Sequence, residues 1–204
     1  LTLAFLIAFF NQVSGINFIL YYAPEILERA GLAARDSLAN SIAIGGTNLV
    51  FTFVGLYLID RLGRRQLMLL GSFGYILSLG MVAWCFYAGA GPGVLLASLL
   101  LFIAAHAIGQ GAVIWVFISE IFPNNVRAIG QSFGASTHWV FAALITLVTP
   151  VFLDAEEGVF KDNPWPIFAF FAFMMVLQLV WVVTRMPETK GVSLEDLEQQ
   201  LMKK

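Results

Sequence analysis

The chain has 204 residues, of which 59% are hydrophobic and only 12% are charged, with a formal net charge of -2. In soluble domains about a quarter of the residues are charged, so this composition is that of a membrane protein. The nearly neutral charge argues against nucleic acid as a partner, and a single cysteine, Cys85, excludes a disulfide framework and a cysteine-rich metal site.

Long stretches without charged residues predict six transmembrane helices. Each stretch reaches the roughly 20 residues that cross a bilayer as a helix. The longest, over residues 66–119, has room for two helices, and GAGPG at 89–93 is typical of a turn between them. The stretches are continuously apolar rather than alternating, which favours helices over a β-barrel. We therefore expect an all-α membrane bundle over residues 1–186, with spans near 2–22, 39–59, 66–88, 94–121, 128–152 and 164–185.

Basic residues are unevenly divided between the loops on the two sides of the bundle. Eight lie on one side: Arg61, Arg64, Arg65, Arg127, Arg185, Lys190, Lys203 and Lys204. Only Arg29, Arg35 and Lys161 lie on the other. This bias predicts that the first side, with both ends of the chain, is cytoplasmic. The chain also opens within a helix and without an initiator Met, which is typical of a fragment.

The last residues, 187–204, form the predicted cytoplasmic tail. Its segment SLEDLEQQLMKK has leucines at helical spacing opposite a charged face, after a serine that suits an N-cap. A short amphipathic helix is expected, packed against the bundle or bound to a separate partner.

The first span contains FFNQVSGINFILYYAP, an apolar segment with several amides at its centre. In an unbroken helix, Gln12 and Asn17 would point about 140° apart. A break at Ser14 and Gly15 would let both amides face one cavity, because glycine tolerates the required backbone angles. The alternative is that the amides only bond to neighbouring helices.

Further polar and aromatic side chains fall at mid-membrane depth in other spans. They are Asn48, Gln110 between two glycines that could loosen the helix beside Trp115, and the pair His138 and Trp139. Amides can bond hydroxyl groups and indoles can stack on sugar rings, so the set suits a neutral polyhydroxylated ligand. For the tryptophans, ordinary packing is the alternative. No HExxH motif accompanies the histidines, so metal binding is not expected.

Two acidic residues, Asp60 and Glu120, stand at predicted cytoplasmic helix ends near arginines. Each is either a solvated charge or a member of a gating ion pair, and the sequence alone leaves both readings open.

Four motifs together carry a family resemblance over essentially the whole chain. In order they are NQVSGINFILYY, DRLGRR, GQGAVIWVFISEIFPNNVR and PETKG. They resemble the C-terminal half of the sugar porter family in the major facilitator superfamily. The resemblance implies a twelve-helix transporter of which this chain forms helices 7 to 12, with nested inverted repeats and a substrate site near the midplane.

The resemblance also implies roles for individual residues. The implied sugar-binding residues are Gln12, Asn17, Asn48, Trp115 and Trp139, with Asn11 and His138 standing where the family usually has other amides. Tyr21 and Tyr22 resemble an outer gate. The charges that resemble a cytoplasmic latch of the outward-open state are Asp60, Arg64, Arg65, Glu120 and Arg127. The family's prolines around the break in helix 10 are absent here, so flexibility there would rest on Gly109 and Gly111.

We therefore expect a monosaccharide transporter of the cell membrane that works by alternating access, without enzymatic chemistry, cofactor or metal. Its partners would be the sugar, the lipid bilayer and, through the other half, protons. The choices between sugars and between proton symport and facilitated diffusion stay open. The alternative is a transporter-like sugar receptor, a class that usually carries long cytoplasmic tails.

Overall fold

The computed structural model describes residues 1–154, 156–192 and 196. In that part of the chain the regular secondary structure is helical and includes no strand. The elements are α1 (Thr2–Gln12), α2 (Ile16–Arg29), α3 (Ala34–Leu62), α4 (Arg64–Ala88), α5 (Pro92–His106), a π-helical segment (Ala107–Gly111), α6 (Ala112–Glu120), α7 (Arg127–Leu153) and α8 (Trp165–Thr184). The predicted amphipathic tail helix lies, apart from Asp196, outside the described residues.

These elements make six helical stretches that are long and apolar enough to cross a membrane, which confirms the predicted all-α fold of six spans. Two spans are composite. The first joins α1 and α2 across a break, and the fourth joins α5 and α6 through the π-helical segment. We call the end of the bundle with Arg64 and Glu120 the Arg64 end, and the opposite end, with Arg29 and the loop after α7, the Arg29 end.

Two spans run further than the charge-free stretches that predicted them. The first span continues past Pro24 to Arg29 because the chain kinks at Tyr22, where φ is -108° and ψ is 16°, and so accommodates the proline. The second span begins at Ala34 rather than near residue 39. An acidic residue, Asp36, lies in its first turn, where it interacts favourably with the helix dipole.

Glycines form the tight connections between consecutive spans. Gly63, with φ of 95°, is the only residue between α3 and α4. Gly89, with φ of 66°, caps the end of α4, and Pro92 starts α5, which confirms the turn predicted from GAGPG. Short connections of this kind make neighbouring spans antiparallel.

The core lies between the composite spans and the helices α4 and α8. Helix α8 packs along α4, and α1 packs along α7. A very close approach joins α4 to the π-helical segment, where a Cβ added to Gly109 would lie 2.9 Å from the Cα of Gly71. The second and fifth spans are the least buried, so α3 and α7 expose long apolar faces.

Candidate functional site

The first span breaks where the sequence predicted it. Gly15 adopts the left-handed conformation with φ of 83°, and α1 ends at Gln12 while α2 starts at Ile16. The N–H of Gly15 donates to the Gln12 carbonyl at 3.0 Å instead of continuing the helical pattern. The Asn11 carbonyl, which a continuous helix would pair with that N–H, accepts the Ser14 hydroxyl at 2.6 Å. A serine side chain thus satisfies a carbonyl that the break releases.

The break brings Gln12 and Asn17 together, as predicted. Asn17 Nδ2 donates to Gln12 Oε1 at 3.0 Å, and Gln12 Nε2 donates to Asn11 Oδ1 at 3.1 Å. Gln12 Nε2 also lies 3.2 Å from Nδ1 and 3.1 Å from Nε2 of His138. The Gln12 amide nitrogen thus faces both ring nitrogens of His138. As a donor, it can bond only the ring nitrogen that carries no proton. We call Asn11, Gln12, Asn17 and His138 the amide cluster.

Two tryptophans flank the histidine of the amide cluster. The His138 ring centroid is 4.9 Å from that of Trp115 and 5.0 Å from that of Trp139. Both indoles are substantially exposed, at 44% for Trp115 and 60% for Trp139. Two buried amides, Asn11 and Gln12, and the half-buried Asn17 therefore lie beside exposed indoles, an arrangement that can bond hydroxyl groups and stack on the apolar face of a ring.

The fourth span widens into the π-helical segment between His106 and Ala112, which confirms the predicted loosening around Gln110. The Gln110 side chain itself is fully buried and points away from the amide cluster, with Nε2 donating to Gln178 Oε1. Gln178 Nε2 in turn donates to the Ser72 hydroxyl at 2.8 Å. This buried polar link between spans was not predicted, since an amide in an apolar run does not reveal which neighbour it faces.

The remaining predicted ligand and gate residues stand apart from the amide cluster. Asn48 is half-buried on α3, and no hydrogen bond joins its side chain to the cluster within the described residues. Tyr22 lies at the kink of α2, and its hydroxyl is 3.5 Å from the Thr146 carbonyl on α7. Tyr21 is 59% exposed. Of the tyrosine pair, Tyr22 thus bridges the first and fifth spans.

At the Arg64 end, Arg64 binds Glu120 through two hydrogen bonds, Nε to Oε2 at 3.0 Å and Nη2 to Oε1 at 2.7 Å. Arg64 is buried, and its Nη1 also contacts Asp60 Oδ1 at 3.3 Å. A two-pronged bond of this kind fixes the guanidinium relative to the carboxylate. Because Asp60 is largely exposed, most of the attraction comes from Glu120.

The PETKG segment belongs to this same cluster, which residue-by-residue reasoning did not predict. The Glu188 carboxylate accepts the N–H groups of Arg64 at 2.9 Å and Arg65 at 3.0 Å and so caps α4. The Thr189 hydroxyl donates to Glu120 Oε2 at 2.6 Å. The sequence feature that could have indicated this contact is the carboxylate of Glu188, which follows directly after the last span. We call Arg64, Glu120, Glu188 and Thr189 the Arg64 cluster.

The other two predicted latch residues bond to backbone rather than to acidic side chains. Arg65 donates to the carbonyls of Val182 and Val183 on α8. Arg127 donates to the Phe122 carbonyl at 3.2 Å. No ion pair joins Arg127 to Glu120 in the structure of the described residues.

Comparisons with known proteins converge on one kind of protein. The family described as "Sugar (and other) transporter" matches residues 1–201. The chain is 32% identical to the glucose transporter GlcP of Staphylococcus epidermidis over 95% of its length and 43% of that protein's. It is 31% identical to the D-xylose-proton symporter of Escherichia coli K12, over 95% of this chain and 39% of that protein.

A third relative, the glucose facilitated diffusion protein of Zymomonas mobilis, is 32% identical over 95% of this chain and 41% of that protein. Among solved structures, a double tryptophan mutant of XylE superimposes with a TM-score of 0.89 at 29% identity, over 98% of this chain and 42% of that one. The proton:xylose symporter XylE bound to 6-bromo-6-deoxy-D-glucose gives a TM-score of 0.84 at 30% identity, with the same coverage. The chain spans about two fifths of the length of these relatives.

Proposed function

Because this chain belongs to the sugar porter family of the major facilitator superfamily, we propose that it forms the C-terminal six-helix half of a twelve-helix monosaccharide transporter. Its coverage of 43%, 41% and 39% of three relatives is what such a half would give. Its relatives are named as transporters of glucose and xylose, and the proposal extends that substrate class, a pentose or hexose, to this chain.

The amide cluster beside Trp115 and Trp139 is the observation that carries this proposal. The three amides and His138 offer donors and acceptors in fixed directions and no charged carboxylate, which suits neutral hydroxyl groups. Trp115 and Trp139 expose ring faces next to these groups. We infer that Asn48 joins this set from the second span.

The faces exposed by α3 and α7 support a missing partner half. On α7, Ser132, Ser136 and Trp139 line a shallow surface depression together with Ala135, Val140 and Ala143. Hydroxyl groups facing hydrocarbon would be unfavourable, so this side of α7 suits a sugar cavity shared with a second set of helices. We propose that residues 1–186 form this six-helix bundle and that residues 187–204 form its cytoplasmic tail.

Alternating access would use the two interrupted spans and the Arg64 cluster. Tyr21 and Tyr22 lie in α2, beyond the break in the first span. We infer that they form the outer gate, which would close over the amide cluster. The ion pairs of Arg64 with Glu120 and Asp60 support a latch at the Arg64 end, to which Arg65 and Arg127 would add positive charge. The loop bias in basic residues supports a cytoplasmic Arg64 end, with both ends of this chain in the cytoplasm of a cell-membrane protein.

Counterflow in proteoliposomes tests the proposal with the complete protein that contains these residues. Radiolabelled glucose and xylose are measured with and without a pH gradient, beside an Asn17→Ala variant and an Asn125→Ala control in the exposed loop after α6. We expect sugar-dependent counterflow that Asn17→Ala weakens and Asn125→Ala leaves unchanged. Stimulation by the gradient would assign proton symport, and its absence facilitated diffusion. No counterflow of any monosaccharide by folded protein would refute the proposal.

A further inference from the structure

The amide cluster contains one titratable side chain, His138, which Gln12 joins to the other members. Gln12 Nε2 lies 3.1 Å from Nε2 and 3.2 Å from Nδ1 of the imidazole. The same nitrogen donates to Asn11 Oδ1, and Gln12 Oε1 accepts from Asn17 Nδ2. A carboxamide nitrogen has two protons, and Gln12 uses one for Asn11 and one for the imidazole. This orientation of Gln12 therefore requires a ring nitrogen that carries no proton.

The side chains that touch His138 are uncharged. Gln12 contacts the ring from α1, Trp115 from α6, and Trp139 is its neighbour on α7. From α5, His106 is near enough for a charge on His138 to act on it, and its own Nδ1 lies 2.5 Å from the Tyr75 hydroxyl.

The helices that pack on α7 carry their ionisable side chains towards their ends. Helix α1 has none, and α6 has Glu120, which is bonded to Arg64 at the Arg64 end. Helix α2 carries Tyr21, Tyr22, Glu25, Glu28 and Arg29, all beyond the break and towards the Arg29 end. Among the described residues no carboxylate bonds His138, so Gln12 is the hydrogen-bond partner that responds to a proton on this ring.

A proton on His138 would reverse the hydrogen bonds of the amide cluster. Both ring nitrogens of an imidazolium are donors, so Gln12 Nε2 would lose its acceptor and face two N–H groups. Turning over the Gln12 carboxamide places Oε1 against the imidazolium. The turned amide then needs a donor from Asn11 and an acceptor from Asn17, so both of these side chains turn as well. Asn17 thereby changes the atom that it leaves free of the cluster from Oδ1 to Nδ2.

We propose that His138 sets the direction of the hydrogen bonds in the amide cluster, so that sugar binding weakens when this side chain takes up a proton. A hydrogen bond from an imidazolium to an amide oxygen is roughly twice as strong as a neutral one. A sugar hydroxyl that replaces this bond on Gln12 therefore gains less. The sugar in this inference rests on the proposed function, whereas the reversal rests on the contacts of Gln12 alone.

The first test is equilibrium binding of radiolabelled glucose and xylose to the complete protein in detergent, at about pH 8 and about pH 5, the range in which histidine changes its charge. We expect the wild-type protein to bind the sugar about tenfold more weakly at the lower pH. In His138→Gln, an amide oxygen can accept from Gln12 but takes up no proton, so its affinity should change much less with pH. The matched control is His106→Gln, which removes the other histidine of this chain and should keep the wild-type pH dependence.

This comparison isolates His138 from every other titratable group of the complete protein. A pH dependence that arises elsewhere stays in the wild type and in His138→Gln alike. The difference between the two is therefore the contribution of this ring.

A second measurement needs no sugar. The nitrogen-15 chemical shifts of labelled histidine report whether each ring nitrogen carries a proton, and the signals that disappear in His138→Gln belong to His138. We expect one unprotonated nitrogen at about pH 8 and two protonated nitrogens at about pH 5. Gln12→Glu places an acceptor beside the ring without any reversal, so it should keep both nitrogens protonated to a higher pH.

The possible results separate the two proposals. An equal pH dependence of binding in wild type and His138→Gln would overturn the inference and leave the transporter standing. A His138 ring that stays neutral down to about pH 5, or one whose titration Gln12→Glu does not shift, would also overturn it. Titration of His138 that Gln12→Glu shifts, in a folded protein that binds no monosaccharide, would uphold the reversal and refute the transporter.

Discussion

Replacing Gly15 with alanine should be among the most damaging single-methyl changes in this chain. Gly15 has φ of 83°, a region in which a side chain costs about 1–2 kcal/mol. The added Cβ would also lie 2.5 Å from Cδ2 and 2.7 Å from Cε2 of Phe171, whose ring is buried against Phe18. Overpacking of this kind costs about 1–3 kcal/mol. Together these effects predict about 2–5 kcal/mol of lost stability for Gly15→Ala.

Thermal unfolding of the purified complete protein in detergent measures this loss. Gly80→Ala is the matched control, because Gly80 lies within α4 and a Cβ there would meet nothing within 4 Å. That change should stabilise the helix by about 0.5–1 kcal/mol. Adding Phe171→Leu to Gly15→Ala should restore the stability lost to overpacking but not the stability lost to backbone strain. Equal melting temperatures for Gly15→Ala and Gly80→Ala would refute the reasoning.

Three further changes have distinct expected results. Asn17→Ala leaves Gln12 Oε1 without its donor and should weaken sugar binding about tenfold, measured by counterflow. An equal loss in the control Asn125→Ala would show general damage to the protein instead. Glu188→Gln weakens the cap of α4 and should cost about 1 kcal/mol in thermal unfolding; an unchanged melting temperature would contradict the capping role. Gly109→Ala places a Cβ 2.9 Å from the backbone of α4 and should cost about 1–3 kcal/mol, and wild-type stability would show that the two spans can separate freely.

The six spans and the first break could be predicted because local sequence determines them. Uninterrupted apolar stretches can only be satisfied as helices in lipid, and Gly15 is the residue in its segment that adopts positive φ without strain. The proximity of Gln12 and Asn17 follows from that one glycine. Local chemistry alone was enough for these features.

Contacts between distant residues could not be predicted in the same way. The pairing of Gln110 with Gln178, and of Tyr75 with His106, depends on how α4, α8 and the π-helical segment rotate against one another. A continuously apolar helix has no polar face to indicate that rotation. Arg127 shows the same limit, since its charge and position suit an ion pair but its guanidinium reaches the Phe122 carbonyl.

The amide cluster bears on how tightly a transporter built this way could hold its sugar. Gln12 already bonds Asn11, Asn17 and His138, so an incoming hydroxyl must replace an existing hydrogen bond rather than fill an empty position. An exchange of this kind yields only the net value of a hydrogen bond, about 0.5–1.5 kcal/mol for each contact. Weak individual contacts suit a protein that must release its ligand on the other side of the membrane. Within the described structure no internal partner fully covers Trp115 and Trp139. Stacking of the sugar on these indoles would then add affinity without breaking an existing hydrogen bond.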